Sequence, residues 1–250
     1  EFQQGMTNMP YEVPNTRFEN GEAVAHVRIG WLRSVYNIIH GFSINVFADE
    51  LAIAAGKDPL QFRLEMIGSD RIFPSDNDYK LDTAKLKNVL RKAGENSKWG
   101  RSLPKGHGLG IAIHYSFYTY VATVVEVSVI DNKLKVHEVF TVVDCGTVVN
   151  TDTVKSQLEG AAIFGMSLAY YGDISMEKGI VQQSNYHDYQ MLRIHEAPKV
   201  HIEIVENGDI PTGIGEPGVP VIAPAIINAI YDATGKRYRN LPLKTAELFA

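Results

Sequence analysis

A glycine- and proline-rich turn that contains one carboxylate is the stretch of this sequence most suited to chemistry. It reads Gly213-Ile214-Gly215-Glu216-Pro217-Gly218, and an apolar helical pattern follows it up to Gly235. Glycine permits backbone angles and close approaches that other residues cannot make, and proline stiffens the exit from a turn. The pattern predicts a rigid turn that presents Glu216 beside the start of a helix. A solvated glutamate in a tight loop is the alternative, and the turn alone does not decide between them.

Two residues outside the turn are further candidates. Arg33 lies in the compact segment Gly30-Trp31-Leu32-Arg33-Ser34, and Gln157 lies in a helical pattern that also contains Gly160 and Gly165. A surface ion pair is the commoner role of a lone arginine, and that alternative stays open. Residue chemistry thus leaves a carboxylate, a cation and an amide carried on a helix as candidates.

Other possible chemical motifs are weaker. His187-Asp188 and His195-Glu196 could be metal ligands or acid–base pairs, but their spacing matches no recognised metal motif, so structural roles are favoured. The glycine-dense stretch 106–110 precedes a strand instead of joining a strand to a helix, so it is not a dinucleotide fingerprint. The sequence contains no Gly-x-Ser-x-Gly nucleophile elbow and no phosphate-binding loop.

Composition excludes several classes of protein. The 250 residues are 45% hydrophobic and 21% charged, which suits one large or two ordinary globular domains. A net charge of −5 argues against a nucleic-acid-binding protein, for which a basic face is expected. The single cysteine, Cys145, excludes an internal disulfide and a cysteine-rich iron–sulfur site in this chain. No apolar run reaches the length of a membrane span, and the start at Glu1, without Met or a signal pattern, indicates a fragment or a processed chain.

The first hundred residues are predicted to be mainly helical after an extended N-terminal segment. One helix is expected from Ser43 to Gly56, with an apolar face that includes Phe47 and with Asn45 and Asp49 lying off that face. A second helix is expected from a cap at Asp58 to about Ile67. A third is expected from a cap at Asp82 or Thr83 to a stop at Gly94. The polar stretch 95–108 then marks the main internal boundary.

Strands dominate the part after this boundary. Segments 109–116, 120–130 and 134–143 are rich in Val, Ile, Tyr and Thr, and residues 131–133 suit a hairpin turn between the last two. Alternation in 125–129 predicts one core face and one wet face. A helix over about 153–169 with a cap at Asn150 or Asp152, a small hairpin within 174–183 and a strand near 200–206 follow. Early helices and later mixed elements indicate an α+β fold, with a mainly helical lobe over 1–100 and an α+β lobe over 101–250 that carries the turn.

Nearly the whole chain, from about Pro10 to Leu243, resembles the large subunit of molybdenum hydroxylases, the relatives of xanthine and aldehyde oxidases. Within that family it is most similar to the isoquinoline 1-oxidoreductase beta-subunit branch. The motifs that carry the resemblance are the turn itself and Gly30-Trp31-x-Arg33-Ser34-Val35, Asp49-Glu50-Leu51-Ala52, Ala55-Gly56-Lys57-Asp58-Pro59, Phe62-Arg63-Leu64, Val143-Asp144-Cys145-Gly146-x-Val148-Val149-Asn150, Gln157-x-Glu159-Gly160, Asn185-Tyr186-His187-Asp188-Tyr189, Ala223-Pro224-Ala225 and Arg237-x-Arg239-x-Leu241-Pro242.

The resemblance implies a fold and roles for particular residues. The fold would be the C-terminal portion of a molybdopterin-binding domain, and the cofactor of the intact enzyme would be molybdenum–molybdopterin cytosine dinucleotide. Glu216 matches the family's general base, and Gln157 matches a glutamine that hydrogen-bonds the cofactor, which Gly213 and Gly215 would also border. Arg33 aligns with an arginine that orients substrate in some relatives. Asn45, Asn150-Thr151-Asp152 and Val221 depart from the usual family pattern, and none of them touches the proposed base.

The resemblance also implies a reaction and partners. The reaction would be hydroxylation of an N-heteroaromatic ring with water, or oxidation of an aldehyde; a non-catalytic scaffold that binds no cofactor by itself is the alternative from another class. An iron–sulfur small subunit and the remaining N-terminal part of the large subunit would be the protein partners. We expect little or no molybdenum on this chain alone, because half of the cofactor cradle is missing. Some relatives of this type are exported, so a periplasmic location is expected, with the cytoplasm as the alternative.

Overall fold

The computed structural model describes residues 4–22, 24, 29–243 and 248. Helices precede strands in this part of the chain, and the mixed elements that follow confirm the α+β prediction. The helices are α1 (Asn37–Ala54), α2 (Pro59–Ile67), α3 (Thr83–Ser97), α4 (Thr151–Tyr171) and α5 (Ile222–Thr234), and Ile194–Glu196 forms a 3₁₀ turn. The strands are β1 (His107–Ser116), β2 (Thr119–Ile130), β3 (Lys133–Asp144), β4 (Met176–Glu177), β5 (Ile180–Val181) and β6 (Lys199–Ile204).

The main sheet has four strands in the order β1-β2-β3-β6. Its first three strands are antiparallel neighbours, and β6 adds to β3 in parallel. The predicted hairpin between β2 and β3 is confirmed: Asp131 and Asn132 have φ of 50° and 60°, the left-handed region that such a turn requires. Phe117 and Tyr118 make a second turn of this kind, between β1 and β2, with φ of 52° and 64°. Sequence analysis did not predict this turn, because aromatic residues are not typical of left-handed positions.

Both faces of the sheet are covered, so the predicted wet face of β2 is wrong. Helix α3 packs on one face, and α5 with α4 packs on the other. Ser128 is therefore only 5% exposed, and the Glu126 carboxylate pairs with Arg101 instead of facing water. The alternation in the sequence is real, but the polar residues on the second face have partners, Arg101 for Glu126 and His137 for Ser128.

Helix α1 differs most from its prediction. It begins at Asn37, and Ser43 lies inside it, where the hydroxyl donates to Ile39 O at 2.8 Å instead of capping the helix. The predicted apolar face is also wrong, since Phe47 is 60% exposed while Asn45 and Asp49 are buried. Polar residues can be buried here because they have partners on distant elements.

Those partners lie on β1, α2 and the segment after α5. The Asn45 amide exchanges hydrogen bonds of 2.9 and 2.8 Å with the backbone of Ile113. The Asp49 carboxylate lies 2.8 Å from Arg237 Nη2 and 3.7 Å from Arg63 Nη1. This buried network ties α1 to the sheet and to the region that follows α5.

The predicted N-terminal caps of α2 and α3 are confirmed, whereas the predicted end of α3 is wrong. Asp58 and Asp82 cap α2 and α3 as predicted, accepting from Gln61 N and Ala84 N at 2.8 Å each. The predicted stop of α3 at Gly94 is wrong, since the helix continues to Ser97. Gly94 lies where the Leu60 side chain packs against the helix, so its lack of a Cβ serves packing and not helix termination. The division of the chain near residue 100 stays a prediction; α3, which precedes it, packs on β2 and β3, which follow it.

Helix α5 is fixed in place by close backbone approaches. A Cβ at Gly108 or Gly110 of β1 would overlap the α5 backbone at Ala229 or Ala225. A Cβ at Gly165 of α4 would lie 2.7 Å from Ile222 Cβ, which confirms the close packing predicted from glycine inside that helix. The turn that precedes α5 is therefore anchored by its helix.

Among the described residues, no single helix has the length and apolar character needed to cross a bilayer. Helices α1 and α2 meet that criterion only when taken together, and the chain bends by 109° between them.

Candidate functional site

The turn at 213–218 is wedged between the sheet and α4. A Cβ at Gly213 would lie 3.0 Å from Phe117 Cβ, at the unpredicted turn between β1 and β2. A Cβ at Gly218 would lie 2.8 Å from Ala161 Cβ and 2.9 Å from Leu158 Cδ2, both on α4. Glycine at these two positions lets the backbone approach both neighbours, and the rigidity of the turn stays a prediction.

Arg33 connects this turn to α4. Its Nε donates to Gly215 O at 2.7 Å, and its Nη2 donates to both Gln157 O and Gln157 Oε1 at 3.1 Å. Partial burial lowers the pKa of the Arg33 guanidinium, and the nearby Glu216 carboxylate opposes that effect. Arg33 is thus neither an isolated surface cation nor one half of a simple ion pair.

The Glu216 carboxylate is held by the residue that follows Arg33. Ser34 N donates to Glu216 Oε1 at 2.9 Å, and Ser34 Oγ donates to Glu216 O at 2.6 Å. The other carboxylate oxygen, Oε2, accepts no hydrogen bond from the residues that the structure describes. One carboxylate oxygen thus accepts a hydrogen bond from the protein and the other does not. In the alternative, a solvated loop, neither oxygen would be held by the protein.

Gln157 lies on the first turns of α4, behind the Asn150 cap. Asn150 Oδ1 accepts from Thr153 N at 2.8 Å, as predicted. The Gln157 Oε1 is used by Arg33, whereas its Nε2 donates to no atom in the described part of the chain. Next to it the turn is open, since a Cβ at Gly215 would meet nothing within 4 Å. The free amide donor, the free carboxylate oxygen and the open backbone of Gly215 together fit a polar group bound against this face.

The structure thus places Arg33, Gln157, Gly213, Gly215 and Glu216 in one connected cluster, although 182 residues separate Arg33 from Gly215. Glu216 does not line the apolar groove of about 380 Å³ over α1 and α2, the groove of about 240 Å³ beside Asp49 and Asn228, or the groove of about 230 Å³ beside Asp144 and Lys85. Glu216 is half-buried and Gly215 beside it is exposed, so this side of the turn is an open face. Such a face suits one wall of a site better than a complete pocket.

The weaker motifs have structural contacts. The Asp188 carboxylate accepts from the backbone of Ser184 and Asn185, and Glu196 Oε1 accepts from Tyr171 Oη at 2.6 Å. The described residues contain no group of three or more His, Cys, Asp or Glu side chains that could hold a metal ion. These observations agree with the structural roles favoured for both pairs.

Ser34 is the site residue that sequence analysis missed. It stood within the motif Gly30-Trp31-x-Arg33-Ser34-Val35, but no property of a lone serine indicates a partner 182 residues away. The only available signal was its position beside Arg33.

The fold and the site define an α+β domain in which a free carboxylate oxygen and a free amide donor lie beside an open glycine turn. Residues 69–198 match the family described as the molybdopterin cofactor-binding domain. The chain belongs to that family, which confirms the resemblance.

Two characterised relatives cover almost the whole chain. The membrane-bound aldehyde dehydrogenase [pyrroloquinoline-quinone] of Gluconacetobacter polyoxogenes is 35% identical over 95% of this chain and 32% of its own length. The isoquinoline 1-oxidoreductase subunit beta of Brevundimonas diminuta is 32% identical over 94% of this chain and 29% of its own length. The chain thus spans about a third of the length of these relatives.

Among solved structures, the aldehyde oxidoreductase of Desulfovibrio desulfuricans superposes with a TM-score of 0.68 over 88% of this chain and 41% of its own. At 16% sequence identity this similarity concerns the fold alone.

Proposed function

We propose that this chain is the C-terminal part of the large subunit of a molybdenum hydroxylase, in which Glu216 is the general base for hydroxylating an N-heteroaromatic substrate of the isoquinoline type with water. The observation that carries the proposal is the state of the Glu216 carboxylate. Oε1 is fixed by Ser34 N, and Oε2 is free of hydrogen bonds from the described residues. A general base needs a positioned oxygen with an unused lone pair within reach of the proton that it takes.

Hydroxylation of R–H by water gives R–OH, two protons and two electrons, so the site needs a proton acceptor and an electron acceptor. The molybdenum–pterin group, when bound, supplies the oxygen-transfer and electron-accepting chemistry. Glu216 Oε2 accepts a proton from the attacking oxygen, which increases its nucleophilicity. The bonds from Ser34 and Arg33 to the turn keep the carboxylate from rotating away during this transfer.

Other residues of the cluster would hold the cofactor. Gln157 Nε2 is a free donor, and the backbone at Gly213 and Gly215 leaves room for close approach on the open side of the turn. The dipole of α4 favours an anionic group at its N-terminus, and the exposed carboxylate of Asp152 in the first turn opposes it. The cytosine dinucleotide form of molybdopterin, which carries phosphates, is the form that we propose. Arg33 Nη1 is left to orient a substrate.

The electrons must leave through groups that these 250 residues do not hold. Iron–sulfur clusters need several cysteine ligands, and this sequence contains only Cys145, which is buried. We therefore assign electron transfer to an iron–sulfur small subunit.

The remaining part of the large subunit would cover the apolar groove over α1 and α2. Phe47 and Leu51 line that groove together with Met6, Met9 and Met66, and Phe47 is 60% exposed. An exposed apolar surface of this kind is typical of an interface, and about two thirds of the length of the relatives lies outside the matched part and could cover it. In the full-length subunit, Phe47→Asp should lower the melting temperature more than Ile130→Asp, a change at a residue that is also exposed but lies at the β2–β3 turn. Equal effects would argue against burial of the groove.

Replacement of the base tests the proposed reaction. In the full-length enzyme with its partner subunit, Glu216→Gln should keep the cofactor bound and lower turnover by roughly 100- to 10,000-fold, because it removes the proton acceptor. Glu206→Gln, at an exposed glutamate outside the cluster, is the matched control and should leave turnover unchanged. Turnover of Glu216→Gln close to that of the unmodified enzyme would remove Glu216 from the mechanism.

Aldehyde oxidation is the second candidate, and the 35% identity to an aldehyde dehydrogenase favours it. The name of that relative includes pyrroloquinoline-quinone, whereas residues 69–198 match a molybdopterin-binding family, so we propose molybdopterin for this chain. Steady-state rates with a panel of N-heteroaromatic compounds and aldehydes on the intact enzyme separate the two reactions.

A scaffold that binds no cofactor is the remaining alternative. Molybdenum and pterin analysis of this chain beside the full-length complex tests it. We expect cofactor in the complex and little or none on the chain alone, and a complex without molybdenum would favour the scaffold.

A further inference from the structure

Ser34 makes two hydrogen bonds to the same residue, Glu216. Its backbone N–H donates to the carboxylate oxygen Oε1 at 2.9 Å, and its hydroxyl donates to the backbone O at 2.6 Å. Ser34 is 0% exposed, so these bonds do not compete with water. Removal of this buried hydroxyl is costly, because the carbonyl of the half-buried Glu216 would lose its donor.

Arg33 and Ser34 are neighbours in the sequence and hydrogen-bond two neighbouring residues of the turn. Arg33 Nε donates to Gly215 O at 2.7 Å, and Ser34 donates to Glu216. This pairing fixes the backbone on both sides of the Glu216 Cα, which leaves the side-chain rotamer as the remaining freedom. The hydrogen bond from Ser34 N to Glu216 Oε1 fixes that rotamer.

The backbone of this segment is strained. Ser34 and Val35 have φ of 75° and 50°, in the left-handed region, which is unusual for any residue with a Cβ and most unusual for a β-branched valine. The conformation is closed by Val35 N donating to Leu32 O at 2.9 Å and Asn37 N donating to Ser34 O at 3.1 Å. Strain of this kind persists where the surroundings impose it, and functional sites are common places for it.

We propose that Ser34 is a positioning residue for the general base. Its N–H engages Oε1, so that Oε2 is the oxygen left to take the proton, and its hydroxyl prevents the Glu216 backbone from turning. Glycine would adopt the left-handed angle without strain but would not supply the hydroxyl, which accounts for a serine at this position. The inference rests on the proposed role of Glu216.

The test uses the full-length, cofactor-loaded enzyme and a double-mutant cycle of Ser34→Ala with Glu216→Gln. Ser34→Ala should lower kcat roughly 10- to 100-fold, with KM changed less than about twofold, because a misplaced base slows the reaction without weakening substrate binding. In the Glu216→Gln background it should cause no further loss, since a residue that acts through Glu216 has nothing left to position. Ser43→Ala, which removes a hydroxyl within α1, is the control and should leave kcat unchanged.

Ser34→Gly guards against misfolding, because it relieves the left-handed strain while it removes the hydroxymethyl side chain. Its kcat should fall as in Ser34→Ala. A crystal structure of the same variant should show the Glu216 carboxylate displaced, with Oε1 no longer within hydrogen-bond distance of residue 34 N. An undisplaced carboxylate with unchanged kcat would overturn the inference.

Two further results are decisive. Additive losses in the cycle would show that Ser34 acts elsewhere, which overturns the inference but leaves the role of Glu216 intact. Unimpaired turnover of the Glu216→Gln single variant would overturn the proposed function and the inference together.

Discussion

Arg33 and Gln157 are separated by 124 residues and are joined by one guanidinium nitrogen, because Arg33 Nη2 donates to both the carbonyl oxygen and Oε1 of Gln157. The Nε of the same side chain reaches Gly215 O. The arginine therefore links α4 to the turn that carries Glu216. Two of its three nitrogens are committed to the protein, so a role in holding the site together accompanies any role toward substrate.

Replacement of Arg33 by lysine should separate these roles. Lysine keeps the charge but cannot make the planar set of bonds to Gly215 and Gln157 at once. We expect Arg33→Lys to lower the free energy of unfolding by about 1–3 kcal/mol, from the lost charge-assisted hydrogen bonds. Arg91→Lys, at an exposed position of α3, is the matched control and should stay within about 0.5 kcal/mol of the unmodified protein. Denaturant unfolding of both variants provides the measurement, and equal values would contradict the linking role.

Two glycines of the turn should respond differently to the same substitution. A Cβ at Gly218 would lie 2.8 Å from Ala161 Cβ, whereas a Cβ at Gly215 would meet nothing within 4 Å. Gly218→Ala should therefore destabilise the protein by about 1–3 kcal/mol through overpacking against α4.

Gly215→Ala should leave stability nearly unchanged and should lower the cofactor content of the full-length enzyme, because it fills the open side of the turn. Melting temperature and molybdenum analysis of the two variants provide the measurements. Full cofactor content in Gly215→Ala would show that the cofactor does not approach this residue.

Local patterns in the sequence predicted most of the elements. The caps Asp58 and Asn150 act within one helical turn of their partners, and the left-handed hairpin at 131–132 is set by its own residues, so a single sequence contains the information. The family resemblance predicts roles for Glu216, Gln157 and Arg33, and in the structure Arg33 binds both Gln157 and Gly215, the residue before Glu216.

Contacts between distant residues could not be predicted in this way. Asn45 was placed on the exposed side of its helix because its partner, the backbone of Ile113, lies 68 residues away. The prediction of a wet face on β2 was wrong for the same reason, since α3 packs on that strand. Ser34 hydrogen-bonds a carbonyl and a carboxylate of Glu216, 182 residues away. Each of these errors arises from a tertiary contact that overrides a local preference.

Loss of the buried ion pair between Asp49 and Arg237 should destabilise the fold more than loss of the exposed pair between Glu50 and Arg239. The Asp49 side chain is 4% exposed and lies between Arg237 and Arg63, so Asp49→Asn leaves two buried guanidinium groups without a counter-charge. We expect a loss of about 3–5 kcal/mol in unfolding free energy. Glu50→Gln breaks the bidentate pair with Arg239, whose side chain is 67% exposed, and should cost less than about 1 kcal/mol. Similar losses in the two variants would mean that burial does not determine the strength of these pairs.

His114 should make the stability of the chain depend on pH below neutrality. It lies buried with Nε2 at 2.8 Å from Asn37 Oδ1, and burial, with a smaller contribution from His40, lowers its pKa from the usual 6.5 to about 4. At pH above 6.5 the imidazole is neutral in both folded and unfolded chains, and its contribution is fully present. As the pH falls from 6.5 to 4, the unfolded chain takes up the proton first, and up to about 3 kcal/mol of unfolding free energy is lost.

Replacement of this histidine should remove that component of the pH dependence. The His114→Gln variant has no titrating group at position 114. Its unfolding free energy should therefore fall less between pH 6.5 and pH 4 than that of the unmodified chain, whatever its stability at neutral pH. His187→Gln replaces a histidine that is 74% exposed and should retain the original slope. Urea unfolding at closely spaced pH values measures all three proteins. An unchanged slope in His114→Gln would show that His114 does not remain neutral in the folded chain, because only a difference in proton uptake between the two states generates the slope.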